Sequence, residues 1–387
     1  MRRLALLCSA MVFIDVAFFS AIAPLLPDYV DDLGLSEAEA GILSASYAAG
    51  TLLASLPAGL VASRLGPRRT VMLGLLLLGA TSVVFGFAAE IVLLDATRFA
   101  QGVAGALIWS GALTWLVTTA PPERRGAVIG TALGTAVAGA LLGPALGAVA
   151  GTIGTEVVFG SVLVVTLVLA WISSRFPETE VRERQSLREV RAAMLTPPVL
   201  NAVLFVAVPS TMFGAIEVLV PLRIDDLGGG HGVIAGGFIA GAALEAVLAP
   251  LAGRYSDRAG RRLPYVSGLT ICALAMAGVG VAASLGGVLA ALIVTALGAG
   301  FCFAPAMTML SDAATATELH QGFAAGLSNM AWATGQVIGG IGGGAVASLT
   351  GNALPSMLIA ALLLATVLYA FRALAPRPAV PTAIGSG

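Results

Sequence analysis

Twelve separate stretches of this chain are apolar for about 20 residues or more, and that feature limits its fold more than any other. They run over 4–29, 40–63, 69–89, 91–119, 125–153, 156–175, 199–224, 232–256, 263–284, 286–312, 321–349 and 352–374. A helix rising about 1.5 Å per residue needs about 20 such residues to cross the bilayer's hydrocarbon layer. The chain has too few charges to cover the water-facing surface of a soluble domain. Only 11% of the 387 residues are charged and 58% are hydrophobic, whereas a soluble domain carries about 25% charged residues. The expected fold is therefore all-α and integral to the membrane, with twelve transmembrane helices. The net charge of −1 gives no basic bias toward nucleic acid. All basic residues are arginine, so no lysine is present for Schiff-base chemistry.

The arginines also orient the chain. With the N-terminus inside, eighteen of the twenty fall in cytoplasmic loops or termini, and only Arg98 and Arg223 do not. Acids such as Asp28, Asp31, Asp32, Glu37 and Glu39 collect on the other side. This is the positive-inside pattern. It puts both termini in the cytoplasm of a cell-membrane protein. Arg2-Arg3 before an apolar run, with Ala21-Ile22-Ala23, imitates a cleaved leader, but Pro24 follows directly and the run is long. It reads as a retained first helix. The polar stretch 176–198 reads as a cytoplasmic surface linker, and the tail 375–387, rich in Pro and Gly, as disordered.

An internal repeat divides the remainder. Gly59-Leu-Val-Ala-Ser63-Arg64-Leu-Gly66-Pro-Arg68-Arg69 returns as Gly253-Arg-Tyr-Ser-Asp257-Arg258-Ala-Gly260-Arg261-Arg262, 194 residues on. Asp31-Asp32-Leu33-Gly34 returns as Asp225-Asp226-Leu227-Gly228 at the same offset. Gly126, Gly130, Gly139, Gly143 and Gly147 return as Gly322, Gly326, Gly335, Gly339 and Gly343 at an offset of 196. Two parallel, pseudo-symmetric six-helix bundles, 1–175 and 199–374, are expected around a central cavity, as transport by alternating access requires.

On these residues the chain resembles the major facilitator superfamily along nearly its whole length. The paired Gly-x-x-x-Asp-Arg-x-Gly-Arg-Arg loops are the most specific mark. Three features resemble the twelve-helix drug:proton antiporters more narrowly. They are Asp15 ahead of Pro24 and Pro27, Arg98-x-x-Gln101-Gly102 in the fourth helix, and Gly139-x-x-x-Gly143-Pro144-x-x-Gly147 in the fifth. The resemblance implies a cytoplasmic gate built from Gly59, Arg64, Gly66, Arg68, Gly253, Asp257, Arg258, Gly260 and Arg262. It also implies a fifth-helix bend that seals the cavity against proton leak, and a functional monomer. Ser63 departs from the family pattern, which has Asp there, so the first-half latch lacks its acid. Physically, Gly59 and Gly253 would let helices approach closely, and the arginines could bind helix carboxyl ends. Plain topology signalling would explain the arginines but not the repeated glycines.

Charges inside the helices point to the chemistry, because each is costly in the bilayer and tends to face a cavity or a partner. Asp15 lies eleven residues past Leu4, about 16 Å deep at the helical rise. Glu245 lies at similar depth from the opposite side, Glu217 sits in the outer third of the seventh helix, and Arg98 opens the fourth. A proton and an organic cation competing for one such carboxylate would constitute antiport. The alternative is a structural ion pair, for instance Asp15 with Arg98. Asn329, Trp332 and Gln336 share one face of the eleventh helix, and with Trp109 and Tyr47 could line an aromatic, amide-rich pocket. Trp is also a common interface anchor.

The expected function is proton-coupled efflux of small amphipathic or cationic molecules, with the proton gradient as energy source and no cofactor. A facilitator or importer of a sugar or organic acid is the alternative, although an anion importer would place more arginines at depth. A membrane enzyme has little to stand on: no phosphate loop or nucleophile–base pair is visible. Cys8, Cys272 and Cys302 read as small apolar residues. His231 and His320 make no zinc motif.

Overall fold

The computed structural model describes residues 2–121, 125–179, 187–317, 319 and 321–374. Over these the chain forms fourteen α-helices and one 3-10 turn. Twelve are long: α1 (Arg2–Ser20), α3 (Glu37–Leu65), α4 (Pro67–Phe87), α5 (Ile91–Thr119), α6 (Arg125–Ile153), α7 (Thr155–Ser174), α9 (Pro197–Asp226), α10 (His231–Ala259), α11 (Arg262–Val281), α12 (Leu285–Ala316), α13 (Gln321–Thr350) and α14 (Ala353–Ala373). Two are short: α2 (Leu26–Leu33) and α8 (Leu187–Met194).

The expected first span is not one straight helix. α1 stops at Ser20, Ala23–Leu25 forms the 3-10 turn, and α2 resumes at Leu26. Pro24 and Pro27 stand at the first positions of these two elements, where a residue without an N–H is tolerated. Taken together, Arg2–Leu33 is still one of eleven stretches among the described residues that are long and apolar enough to cross a membrane. α13 is long but falls outside that group. Its glycines and its Asn329, Trp332 and Gln336 dilute the hydropathy, and it packs most extensively on α3 and α9.

The linker is more structured than expected. α8 occupies part of 176–198 and buries Val190 in the core of the second half. Arg182 and Arg184, like Arg124, Arg377, His320 and the tail 375–387, lie outside the described residues.

Glycines hold the bundle together where the repeat places them. Gly139 and Gly143 of α6 lie against α1 so closely that an added Cβ would stand 2.6 Å from the Phe13 carbonyl and 2.5 Å from that of Ala17, and Gly147 abuts the Ala21 carbonyl in the same way. In the second half Gly335, Gly339 and Gly343 of α13 meet Ala207, Thr211 and Ala215 of α9. The α4 and α11 glycines also correspond: Gly74 packs on Ala104 and Ile108, and Gly268, 194 residues later, on Gly298 and Cys302. Gly34 and Gly228, and Gly66 and Gly260, all carry positive φ, between +63° and +89°, a backbone that favours glycine. The halves meet where α13 lies along α3, through Gly41 and Gly344 at one end and Gly326 and Ser55 at the other, and where α10 lies along α6.

Candidate functional site

Where α1 ends, its last carbonyls have no helical partner, and Arg98 of α5 takes them. Its Nη1 donates to the Phe18 carbonyl (3.4 Å) and to Gln101 Oε1 (3.1 Å), and its Nη2 to the Phe19 carbonyl (3.2 Å). A guanidinium at a helix C-terminus is also favoured by the helix dipole. Its carbon stands 5.8 Å from the Phe19 ring centroid and 5.2 Å from that of Tyr47, within cation–π range. Arg98 is 0% exposed, yet its Nε has no acceptor. Gln101 is fixed in turn by donating to Ser82 Oγ (3.2 Å).

Asp15 lies on α1, one and a half turns before the break, and is 1% exposed. The Tyr47 hydroxyl of α3 donates to its Oδ1 (2.8 Å), and the Trp109 indole N–H of α5 to its Oδ2 (3.1 Å). The expected alternative of an Asp15–Arg98 ion pair is not formed. The carboxylate is held by two neutral donors, and the arginine is spent on carbonyls and rings. Both groups are thus buried and bonded without neutralising one another, and hydrogen bonds to a charged carboxylate are strong ones.

The second half contributes from α9 and α13. Glu217 sits against Gln336 and within electrostatic reach of Arg98. Gly214 makes room for Gln336, since a Cβ there would stand 2.9 Å from its Oε1. Trp332 meets Phe19 edge-on at 5.3 Å, and Phe19 packs on Tyr47 at 4.8 Å. Asn329, on the same helix face, leaves its buried Nδ2 without a partner. Asp15, Arg98, Gln101, Glu217, Trp332 and Gln336 therefore belong to one neighbourhood. Glu245 does not. It lies on α10 beside Leu248, opposite Gly300 of α12 and within electrostatic reach of Cys302.

At the arginine loops the two halves differ. In the first half, Glu178 from the segment after α7 fills the turn at Gly66. Its Oε1 accepts the backbone N–H of Arg68 (3.1 Å), its Oε2 lies 3.3 Å from Arg68 Nε and 3.7 Å from Arg69 Nε, and Arg68 Nη1 donates to the Phe176 carbonyl (2.8 Å). A carboxylate at the N-terminus of α4 is well placed electrostatically. Ser63 only bonds back to the Leu60 carbonyl. In the second half, Arg261 pairs with Asp312 of α12 and Arg262 stacks on Phe371 at 4.5 Å. Arg64 and Arg258 are exposed, and the Asp257 side chain lies outside the described residues. Gly59 is buried, but nothing lies within 4 Å of a Cβ built on Gly253, so the expected close approach there is absent. Pro144 is carried within a continuous α6.

Several contacts were beyond sequence reasoning. Phe19, Ser82 and Glu178 carried no signal of their own. Asp95, one turn before Arg98 and accepting from Ser46 at 3.4 Å, could have been flagged as a charge inside a helix. His231 Nε2 lies 2.7 and 2.8 Å from the two Asp28 oxygens, joining α10 to α2 across the halves. Cys272 and Cys302, distant in sequence, face one another between α11 and α12 as free thiols.

A helical bundle with, among the described residues, eleven stretches long and apolar enough to cross a membrane, an internal two-fold repeat and polar groups gathered between its halves has the makings of a membrane transporter. The family profile described as Major Facilitator Superfamily matches residues 8–317 and 240–386, and the chain belongs to that family. It is accordingly a multi-pass membrane protein of a transporter family, not of an enzyme family. Among its relatives, an MFS-type transporter, ppzB, of Metarhizium majus is 31% identical over 126 residues, 31% of this chain and 27% of that protein. An uncharacterized MFS-type transporter of Burkholderia pseudomallei is 40% identical over 120 residues, 28% of this chain and 29% of that one. The quinolone resistance protein NorA of Staphylococcus aureus is 26% identical over 116 residues, 30% of each chain. The matched stretches thus span under a third of these relatives' own lengths. Among solved structures, a bacterial homologue of the human lysosomal transporter Spinster, inward-facing and occupied, superposes with a TM-score of 0.79 at 16% identity over 96% of both chains. That likeness concerns the fold.

Proposed function

We propose that this protein exports small amphipathic or cationic molecules in exchange for protons, by alternating access of the halves 1–175 and 199–374 about the Asp15 neighbourhood. One observation carries the reading: a fully buried carboxylate held by neutral donors, with a buried arginine nearby that does not neutralise it. Such a group can take either a proton or a cation, and the exchange of one for the other is antiport. Phe19, Tyr47, Trp109 and Trp332 offer the flat apolar surface that a lipophilic cation needs. The name of NorA, a resistance protein, is in keeping with this direction of transport. On this reading the proton gradient is the energy source, no cofactor takes part and the monomer suffices. The arginine-rich loops and both termini face the cytoplasm, in the cell membrane.

The test uses purified protein in sealed liposomes with an interior pH dye. Ethidium, a neutral drug and a sugar are offered to wild type and to Asp15→Asn. Ethidium-triggered proton movement that Asp15→Asn abolishes is the expected result. Substrate flux without proton movement in either protein would make the protein a facilitator and return Asp15 to a structural role.

A further inference from the structure

Two buried opposite charges in one neighbourhood attract strongly, because little water screens them. Arg98 has a spare Nε–H and no carboxylate within ion-pair distance, although Glu217 acts on it from further off, and Asp15 is the buried acid on the neighbouring helix. Left to themselves they would close on each other, and an internal ion pair would leave no carboxylate for an incoming cation. Tyr47 stands in the way. Its hydroxyl is bonded to Asp15 Oδ1 at 2.8 Å, and its ring meets the Arg98 guanidinium 5.2 Å from its centroid.

The surrounding chain is shaped to hold that ring. Phe19 braces it from α1 at 4.8 Å. Gly105 of α5 leaves the space that its hydroxyl uses, since a Cβ there would collide with that hydroxyl and stand 2.9 Å from Asp15 Oδ1. Gly102, three residues earlier, lets α5 lie directly on the Tyr47 backbone carbonyl. The ionisable groups acting on this assembly are Arg98 from α5, Glu217 from α9 and, through Arg98, Tyr29 from α2. α13 presents the uncharged Trp332 and Gln336. α6, packed behind α1, presents Gly139, Gly143 and Gly147.

We propose that Tyr47 is a positioning residue that keeps Asp15 and Arg98 apart, so that the carboxylate remains open to a cation from outside. This rests on the reading of Asp15 as the exchange site. The hydroxyl supplies one of the two hydrogen bonds that Asp15 accepts, and the ring gives Arg98 somewhere else to be.

The experiment measures ethidium efflux and ethidium-triggered proton movement in liposomes between pH 5.5 and 8.5, for wild type, Asp15→Asn, Tyr47→Phe and Tyr47→Leu. Tyr47→Phe keeps the ring and loses the donor. A hydrogen bond to a charged group corresponds to about a tenfold change in affinity, so KM should rise about tenfold with kcat little changed. The carboxylate then yields its proton less readily, and the pH of half-maximal efflux should move about one unit upward. Tyr47→Leu lets Arg98 reach Asp15, and coupling should be lost across the whole pH range, then partly restored by adding Arg98→Gln. A Tyr47→Phe profile superimposed on wild type, while Asp15→Asn is inactive, would overturn the proposal and leave the exchange site standing. Coupling that survives in Asp15→Asn would overturn both. If Tyr47→Leu does not fold, the Tyr47→Phe pH profile decides alone.

Discussion

Gly143→Ala adds one methyl group at a place where the structure leaves no room for it. The new Cβ would stand 2.5 Å from the Ala17 carbonyl oxygen and 2.5 Å from Ser20 Cβ. The oxygen belongs to the backbone of α1 and cannot rotate away, so α1 and α6 must part by nearly 1 Å to reach ordinary contact. Overpacking of this kind costs about 1–3 kcal/mol. Gly134, two and a half turns earlier on the same helix, has nothing within 4 Å of its added Cβ. Ala there should be neutral or stabilising by up to about 1 kcal/mol through helix propensity. Gly339→Ala repeats the crowded case in the other half, its Cβ meeting the Thr211 carbonyl and standing 2.9 Å from the Ala215 nitrogen. Unfolding titrations of the three variants in mixed micelles should place Gly143→Ala and Gly339→Ala below wild type by this margin and Gly134→Ala at or above it. Transport should suffer too, because the α1 segment pushed aside carries Asp15 and the carbonyls that hold Arg98. Equal stability of Gly143→Ala and Gly134→Ala would refute the idea that these glycines set the distance between helices.

Glu178→Gln keeps an acceptor for the Arg68 N–H but removes the charge facing Arg68 and Arg69. Because both partners are about a quarter exposed, the loss should be only about 0.5–1 kcal/mol in the same titration, and smaller at high salt. A loss that salt leaves untouched would mean that packing, not charge, holds the segment. His231→Ala removes the contact between α10 and α2. Spin labels placed on these two helices should then sample the separated arrangement a few-fold more often, in line with a partly exposed pair contributing up to about 1 kcal/mol. Unchanged distance distributions would show that the contact does not hold the halves together.

What the sequence revealed, and what it hid, follows from the range of the interactions. Helix number and the two-fold repeat were legible because they rest on local hydropathy and on spacing. The repeat also survives in the backbone: the glycines that share positive φ, such as Gly66 and Gly260, stand 194 residues apart, as do the α4 and α11 glycines that meet corresponding neighbours. The in-helix charges were also legible, because a charge in an apolar run has few explanations. Their partners were not. Arg98 finds its acceptors at the Phe18 and Phe19 carbonyls where α1 stops at Ser20, and a broken helix exposes acceptors that no side-chain motif can announce. Ser63 read as a missing acid in the first loop, but Glu178 stands at that loop from 110 residues beyond Arg68. The arginines of the second loop turn instead to Asp312 and Phe371. With Glu178 carried by the start of the linker, the first-half loop is tied to the connection between halves, whereas the second-half loop is tied to α12 and α14.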